Sequence, residues 1–198
     1  MISKISNYIT DQIYLTLPEV KPEKREIIEY GAYMALSEIS KVALLLIISA
    51  IFDVFLYAAG IICIFGLLRM NLGGIHAKTH LGCLIFYSLF IFGTLAVSLH
   101  LPEHRLVVNA IVIPFSFAVA YLYAPADMPV KPVASKKQRK RLRITGFILM
   151  VILYVLAQFA DQVWFNIVMI TSMLVSVLMT PPIYKITNNK YAREEETV

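Results

Sequence analysis

Hydrophobic and polar positions along this chain fall into blocks. An α-helix needs about 20 apolar residues to cross a bilayer. Six stretches can be drawn to that scale, at about 31–52, 54–69, 81–99, 106–123, 144–160 and 163–180. Ahead of them, in residues 1–18, Ile2, Ile5, Ile9, Ile13 and Leu17 recur at spacings of three and four, with Lys4, Asn7 and Asp11 elsewhere on the wheel. That pattern predicts an amphipathic helix closed by Pro18 and lying in the membrane interface. The competing expectation is a helix packed on the protein's own cytosolic face. The predicted class is all-α, a polytopic membrane protein with about six transmembrane helices plus this N-terminal helix, in a single membrane domain spanning 1–198.

The interruptions carry information too. The continuous apolar run 42–52 is too short for a span, so the first helix must reach back to about Gly31. This places Ser37, Glu38, Ser40 and Lys41 in or just below the hydrocarbon. A carboxylate there is costly and should face protein or water. Glu38 therefore either serves function or pairs locally with Lys41 at i,i+3. Asp53 marks a tight turn, Pro114 a kink, and Asp161-Gln162 a short loop. The longest polar stretch, 124–143, reads as a cytosolic loop whose prolines keep its first half extended. Pro181-Pro182 is expected to stop the last helix and leave a polar tail, 181–198.

Composition narrows the class. The chain is 59% hydrophobic with a mean hydropathy of +0.71, well above the roughly half-apolar make-up of soluble domains. Two cysteines, Cys63 and Cys83, provide no disulfide framework. No cleavable signal peptide is expected, because residues 1–18 lack a continuous apolar core. The net charge of +5 reflects topology rather than nucleic-acid binding. Of the 18 Lys and Arg residues, all but Arg105 fall in the N-terminal segment, the base of the first span, the 69–78 loop, the 124–143 loop or the tail. The positive-inside rule then predicts that both termini and the 69–78 loop lie in the cytosol. The cytosol also keeps thiols reduced.

The chemistry concentrates in residues 69–83, Arg-Met-Asn-Leu-Gly-Gly-Ile-His-Ala-Lys-Thr-His-Leu-Gly-Cys. A thiol near an imidazole is the minimal equipment for nucleophilic attack on a carbonyl. His76 and Cys83 are seven residues apart, which on a straight helix is about 10.5 Å of rise. A thiol–imidazole hydrogen bond needs about 3 Å. A dyad therefore requires the segment to leave helical geometry, and Gly73-Gly74 and Gly82 are where it could. His80, three residues before Cys83, is the rival base. Two other readings stay open from the residues alone. In one, the histidines are interfacial polar residues and Cys83 is a core cysteine. In the other, His76, His80 and Cys83 ligate zinc. Cys63, in Ile-Ile-Cys-Ile, is expected to be a small buried hydrophobe with no polar neighbour to activate it.

The pattern Arg69-x-x-x-Gly73-Gly74-x-His76-Ala77 followed by Cys83 resembles the signature of the accessory gene regulator B family. These are bacterial membrane endopeptidases that process a quorum-sensing propeptide. The chain length, the spans, the Ala-Pro-Ala-Asp segment with Pro125 and Asp127, and the basic loop agree with the resemblance. It implies Cys83 as nucleophile and His76 as general base and acid. The implied substrate is an AgrD-like propeptide with an amphipathic N-terminus and an acidic C-terminus, closed to a thiolactone through an acyl-enzyme thioester. It also implies a homodimer, and neither cofactor nor metal. Backbone N–H groups near Cys83, or the side chains of Arg69 and Asn71, are candidate oxyanion donors. Gly73 and Gly74 are the supporting turn, and Glu38 and Asp127 the carboxylates that could orient His76. The basic run Lys136, Lys137, Arg139, Lys140, Arg141 and Arg143 is either a topology signal alone or a hold for the acidic propeptide tail. The alternative to the enzyme is a small non-enzymatic transport or assembly protein of the membrane.

Overall fold

The computed structural model describes residues 2–16, 24–75, 79–126 and 135–189. Among them the chain is helical, with no strand. It divides into two compact units, Met1–Asp53 and Val54–Val198.

The first unit pairs α1 (Ile2–Thr16) with α2 (Arg25–Ile51). Small polar side chains of α1 make the junction. Ser6 and Thr10 are buried, and Ser6 Oγ donates to the Glu29 carbonyl at 2.7 Å. Arg25 pairs with Asp11 and lies over the Tyr14 ring. Ile5, Tyr8 and Leu15 face outward, as an interfacial helix requires. In α2, Lys41 Nζ reaches Glu38 Oε1 at 2.5 Å, with the lysine buried. This is the local i,i+3 pair that the spacing allowed. Asp53 ends the unit with φ 56°, a turn conformation.

The second unit contains α3 (Phe55–Leu72), α4 (His80–His100), α5 (Arg105–Tyr123), α6 (Lys136–Phe159), α7 (Gln162–Val177) and the short α8 (Pro181–Ile186). Five helices, α2 to α6, are long and apolar enough to cross a membrane; α7 is apolar but has only 16 residues. The protein is a multi-pass helical membrane protein. Two elements differ from the sequence reading. The basic run is not loop but the first two turns of α6, because Lys and Arg are good helix formers and Ser135 precedes them. Pro181-Pro182 ends one helix and also starts α8, since proline is tolerated in a first turn, where its missing N–H is not needed.

Within this unit α7 is the central element, packed on α3, α4, α5 and α6. Asn166, Thr171, Ser172 and Ser176 are buried along it. Between apolar helices in lipid, small and polar side chains let backbones approach and bond. Asn166 Nδ2 donates to the carbonyls of Ser98 and Leu101, at 3.0 and 3.2 Å, and so ties α7 to the end of α4. Gly60 of α3 leaves room for the Trp164 ring, which any side chain at 60 would meet. Arg105 closes the far end. It donates to the Gln158 and Ala160 carbonyls at 3.1 and 2.9 Å, a cation at the negative end of α6.

Candidate functional site

The site is built where α3 stops. The chain leaves the helix through Gly73 at φ 83°, ψ −147°, and Gly74 at φ 118°. Side-chain-bearing residues avoid this region. The Gly73 N–H still reaches back to the Arg69 carbonyl at 2.9 Å. The turn then pairs with the segment after α5. Gly74 N–H donates to the Ala126 carbonyl at 2.8 Å, and Ala126 N–H to the Leu72 carbonyl at 2.9 Å, which forms a parallel bridge between Gly73 and Ala126. The two strands of chain that lead into His76 and Asp127 are thus paired side by side. A third donor joins them, the buried Tyr184 hydroxyl of α8, 3.1 Å from the Ala126 carbonyl.

Arg69 holds the same turn from the last turn of α3. Its guanidinium donates to the carbonyls of Gly74, at 3.4 Å, and of Ile75, the residue before His76. It also lies over the Phe65 ring at 5.3 Å. Arg69 is therefore engaged with backbone. Asn71 Nδ2 donates to the Leu67 carbonyl of its own helix at 2.8 Å.

The segment 69–83 is accordingly not one straight helix, because α3 stops at Leu72 and α4 starts at His80. Gly82, unlike the glycine pair, is helical. Thr79 caps α4, its Oγ1 accepting from Gly82 N–H at 3.1 Å, and the Cys83 N–H donates to the Thr79 carbonyl at 2.9 Å. Cys83 thus lies in the first turn of α4, half-buried. A helix N-terminus presents unpaired N–H groups and favours negative charge. Cys63 is exposed in the middle of α3. The expectation that it is buried is corrected: an apolar stretch of sequence does not say which face of a helix meets protein.

The remaining candidates separate. Arg139 donates to the Pro125 carbonyl at 3.5 Å, and Arg143 to the Tyr121 carbonyl while covering that ring at 4.7 Å. These two, four residues apart, brace α6 against the end of α5. Lys136, Lys137, Lys140 and Arg141 are exposed. Glu38 belongs to the first unit, where it pairs with Lys41. His76, Asp127 and the side chain of His80 lie outside the described residues. Among those described, no three His, Cys, Asp or Glu side chains are gathered to hold a metal ion. Sequence reasoning missed Tyr184; nothing in a tail tyrosine signals a partner 58 positions away.

The bridge makes a stability prediction. A Cβ on Gly73 would fall 2.9 Å from both the carbonyl carbon and the nitrogen of Ala126, and closer still to its oxygen; on Gly74 the nearest atom would be 3.5 Å away. Gly73→Ala should therefore lower thermal stability in detergent by more than the roughly 1–3 kcal/mol typical of backbone strain. Gly74→Ala should cost only that strain. Equal melting temperatures for Gly73→Ala and the parent would show that the bridge does not hold.

A multi-pass helical protein with a cysteine in the first turn of one span, and with a glycine turn held by an arginine at the end of the span before it, is the class these features define. The family model for accessory gene regulator B matches residues 2–180. The chain belongs to that family, membrane proteins of the accessory gene regulator system of quorum sensing. It is similar to proteins named AgrB-like in three clostridia. A Clostridium acetobutylicum protein is 26% identical over 200 residues, covering 96% of this chain and 92% of its own. One from Clostridium perfringens strain 13 is 26% identical over 149 residues, 72% of this chain and 69% of its own. A Clostridium beijerinckii protein is 29% identical over 136 residues, 66% and 65% of the two chains. None of these names states a reaction. No solved structure gives a significant match.

Proposed function

We propose that this protein is an integral-membrane cysteine endopeptidase that removes the C-terminal part of an autoinducing-peptide precursor. The observation that carries the reading is the placement of Cys83 in the first turn of α4, just after a glycine turn whose last carbonyl, that of Ile75, is held by Arg69. In the proposed reaction the Cys83 sulfur attacks a propeptide carbonyl, and His76 takes the thiol proton and passes it to the leaving amine. The C–N bond breaks, the acidic C-terminal fragment leaves, and the N-terminal fragment stays on Cys83 as a thioester. A cysteine within the propeptide then exchanges with that thioester, closes the thiolactone and releases the Cys83 thiol. The exchange is nearly isoenergetic, so it needs a site that keeps water from the acyl-enzyme. Donors for the oxyanion come best from the N–H groups of the first turn of α4, because Arg69 and Asn71 are engaged with backbone carbonyls. We place the site, both termini and the α6 basic turns at the cytosolic face of the bacterial cell membrane, in a homodimer.

The direct test is to trap the acyl-enzyme. Purified protein mixed with propeptide lacking its internal cysteine should gain the mass of the N-terminal fragment, and hydroxylamine should remove it. Failure to form any hydroxylamine-sensitive adduct on Cys83 would favour a non-enzymatic transport or assembly role.

Lys136, Lys137, Lys140 and Arg141 are the exposed basic residues that could hold the acidic propeptide tail. Such contacts are screened over about 8 Å at physiological salt, so they should act mainly on capture. Replacing Lys136, Lys137 and Lys140 by Gln leaves Arg139 and Arg143 to brace α6. KM should rise and lose salt dependence while kcat changes little. Unchanged KM and salt dependence, with topology verified, would leave the run as a topology signal only.

A further inference from the structure

We infer that Tyr87 is a specificity-determining residue, an aromatic wall beside Cys83 that receives an apolar side chain from the acyl side of the scissile bond. The inference rests on the endopeptidase reading above. Cys83, Tyr87, Phe90 and Thr94 follow one another along α4 at spacings of four, three and four, so they form one stripe of that helix. The stripe faces α3. Phe65 meets the Phe90 ring at 4.3 Å and the Tyr87 ring edge-on at 5.4 Å. Burial falls along the stripe toward the start of α4: Thr94 and Phe90 are buried, while Tyr87 and Cys83 are half-buried. The contact of α3 with α4 is thus closed around Phe65 and Phe90 and loosens toward Cys83.

Three features suit this looser end to an apolar group. A long side chain on a helix leans toward the N-terminus and covers the turn before its own Cα, which for Tyr87 is the turn that carries Cys83. The wall is also backed. Phe65, 2% exposed, touches the Tyr87 ring and lies beneath the Arg69 guanidinium. Phe86, half-buried and packed on Phe90 at 6.0 Å, adds a second ring three positions after Cys83. In the other direction from Cys83 the helix ends at the capping hydroxyl of Thr79. A peptide whose carbonyl is bonded to Cys83 therefore has rings on one side and a polar helix end on the other. The acyl fragment stays tethered to the sulfur while the acidic fragment leaves, so the acyl side is the one that the rings can select. A large apolar residue before the scissile bond should be preferred to a small or charged one.

The test uses full-length protein in detergent micelles, with Cys63→Ala as parent so that Cys83 is the one cysteine. The probes are iodoacetamide and N-benzyl iodoacetamide, which share a reactive carbon and differ by one aromatic group. The ratio of their rates cancels the reactivity of the thiol and reads the surface beside it. Tyr87→Ala should lower the preference for the benzyl reagent by about twofold to tenfold, the usual worth of an aromatic pair. Tyr87→Leu keeps apolar bulk against Phe65 and should lower it by the smaller part of that range. Tyr87→Phe, which keeps the ring, should match the parent. So should Phe92→Ala, which removes a half-buried ring nine residues beyond Cys83. If the ratio in Tyr87→Ala equals the parent's while propeptide still forms a hydroxylamine-sensitive adduct on Cys83, the inference is wrong and the endopeptidase reading stands. If no such adduct forms in the parent, the endopeptidase reading falls and the inference with it.

Discussion

Cys83→Ala is expected to abolish propeptide cleavage, while Cys63→Ala stays close to the parent. Removing the nucleophile from a catalytic set can cost on the order of 10⁶ in rate, because no other group offers a covalent route. Cys83, the nucleophile of the proposed reaction, is half-buried in the first turn of α4, which Thr79 caps. Cys63 is exposed in the middle of α3, among Ile62, Ile64 and Phe65, with no histidine in its own helix. Its removal should change stability by no more than about 0.5 kcal/mol. Cleavage of the propeptide in membranes, normalised to protein level, is the measurement. Loss in both variants at normal level would overturn a single nucleophile, and residual cleavage by Cys83→Ala would move the nucleophile elsewhere.

The parts of this molecule that were legible in the sequence are those governed by one-dimensional physics. Apolar runs became helices because backbone polar groups in lipid can only be satisfied internally. Gly73-Gly74 became a break because positive φ suits glycine, and Asp53 a turn. What sequence could not show is which face of each apolar helix meets protein. Cys63 and Phe65 sit two residues apart in equally oily surroundings, yet Phe65 is buried and Cys63 exposed. Helix α7 reads like its neighbours in hydropathy, yet it is the central element, distinguished by the buried Asn166, Thr171, Ser172 and Ser176. The basic run reads as a block of six, and only packing divides it into bracing Arg139 and Arg143 and the exposed remainder. The bridge from Gly73 to Ala126 was out of reach for the same reason. An alanine carbonyl has no sequence signature, so a contact made by backbone at one end and by Tyr184 at the other appears only once the helices are assembled.

His76→Ala should lower cleavage at least about 10²-fold, a typical general-base contribution, and His80→Ala much less. Both histidines are close to Cys83 in sequence, so the distinction rests on what holds each backbone. His80 is the first residue of α4 and stands one turn before Cys83, where side chains are commonly about 5–6 Å apart at Cβ. A base must carry the proton as imidazolium while the acyl bond forms. A cation in the first turn of a helix is in general disfavoured by the field of the macrodipole, by about 0.3–1 kcal/mol. That field works against His80 as the base. His76 follows Ile75 in sequence, and the Ile75 carbonyl is held by Arg69. Single-turnover cleavage by the two alanine variants and the double variant decides the matter. The double variant should be no slower than His76→Ala alone, since an absent base cannot be lost twice. A loss of about 10²-fold in His80→Ala, with His76→Ala near the parent, would reverse the assignment and make the Arg69-held turn a structural feature of the loop rather than the mount of its base.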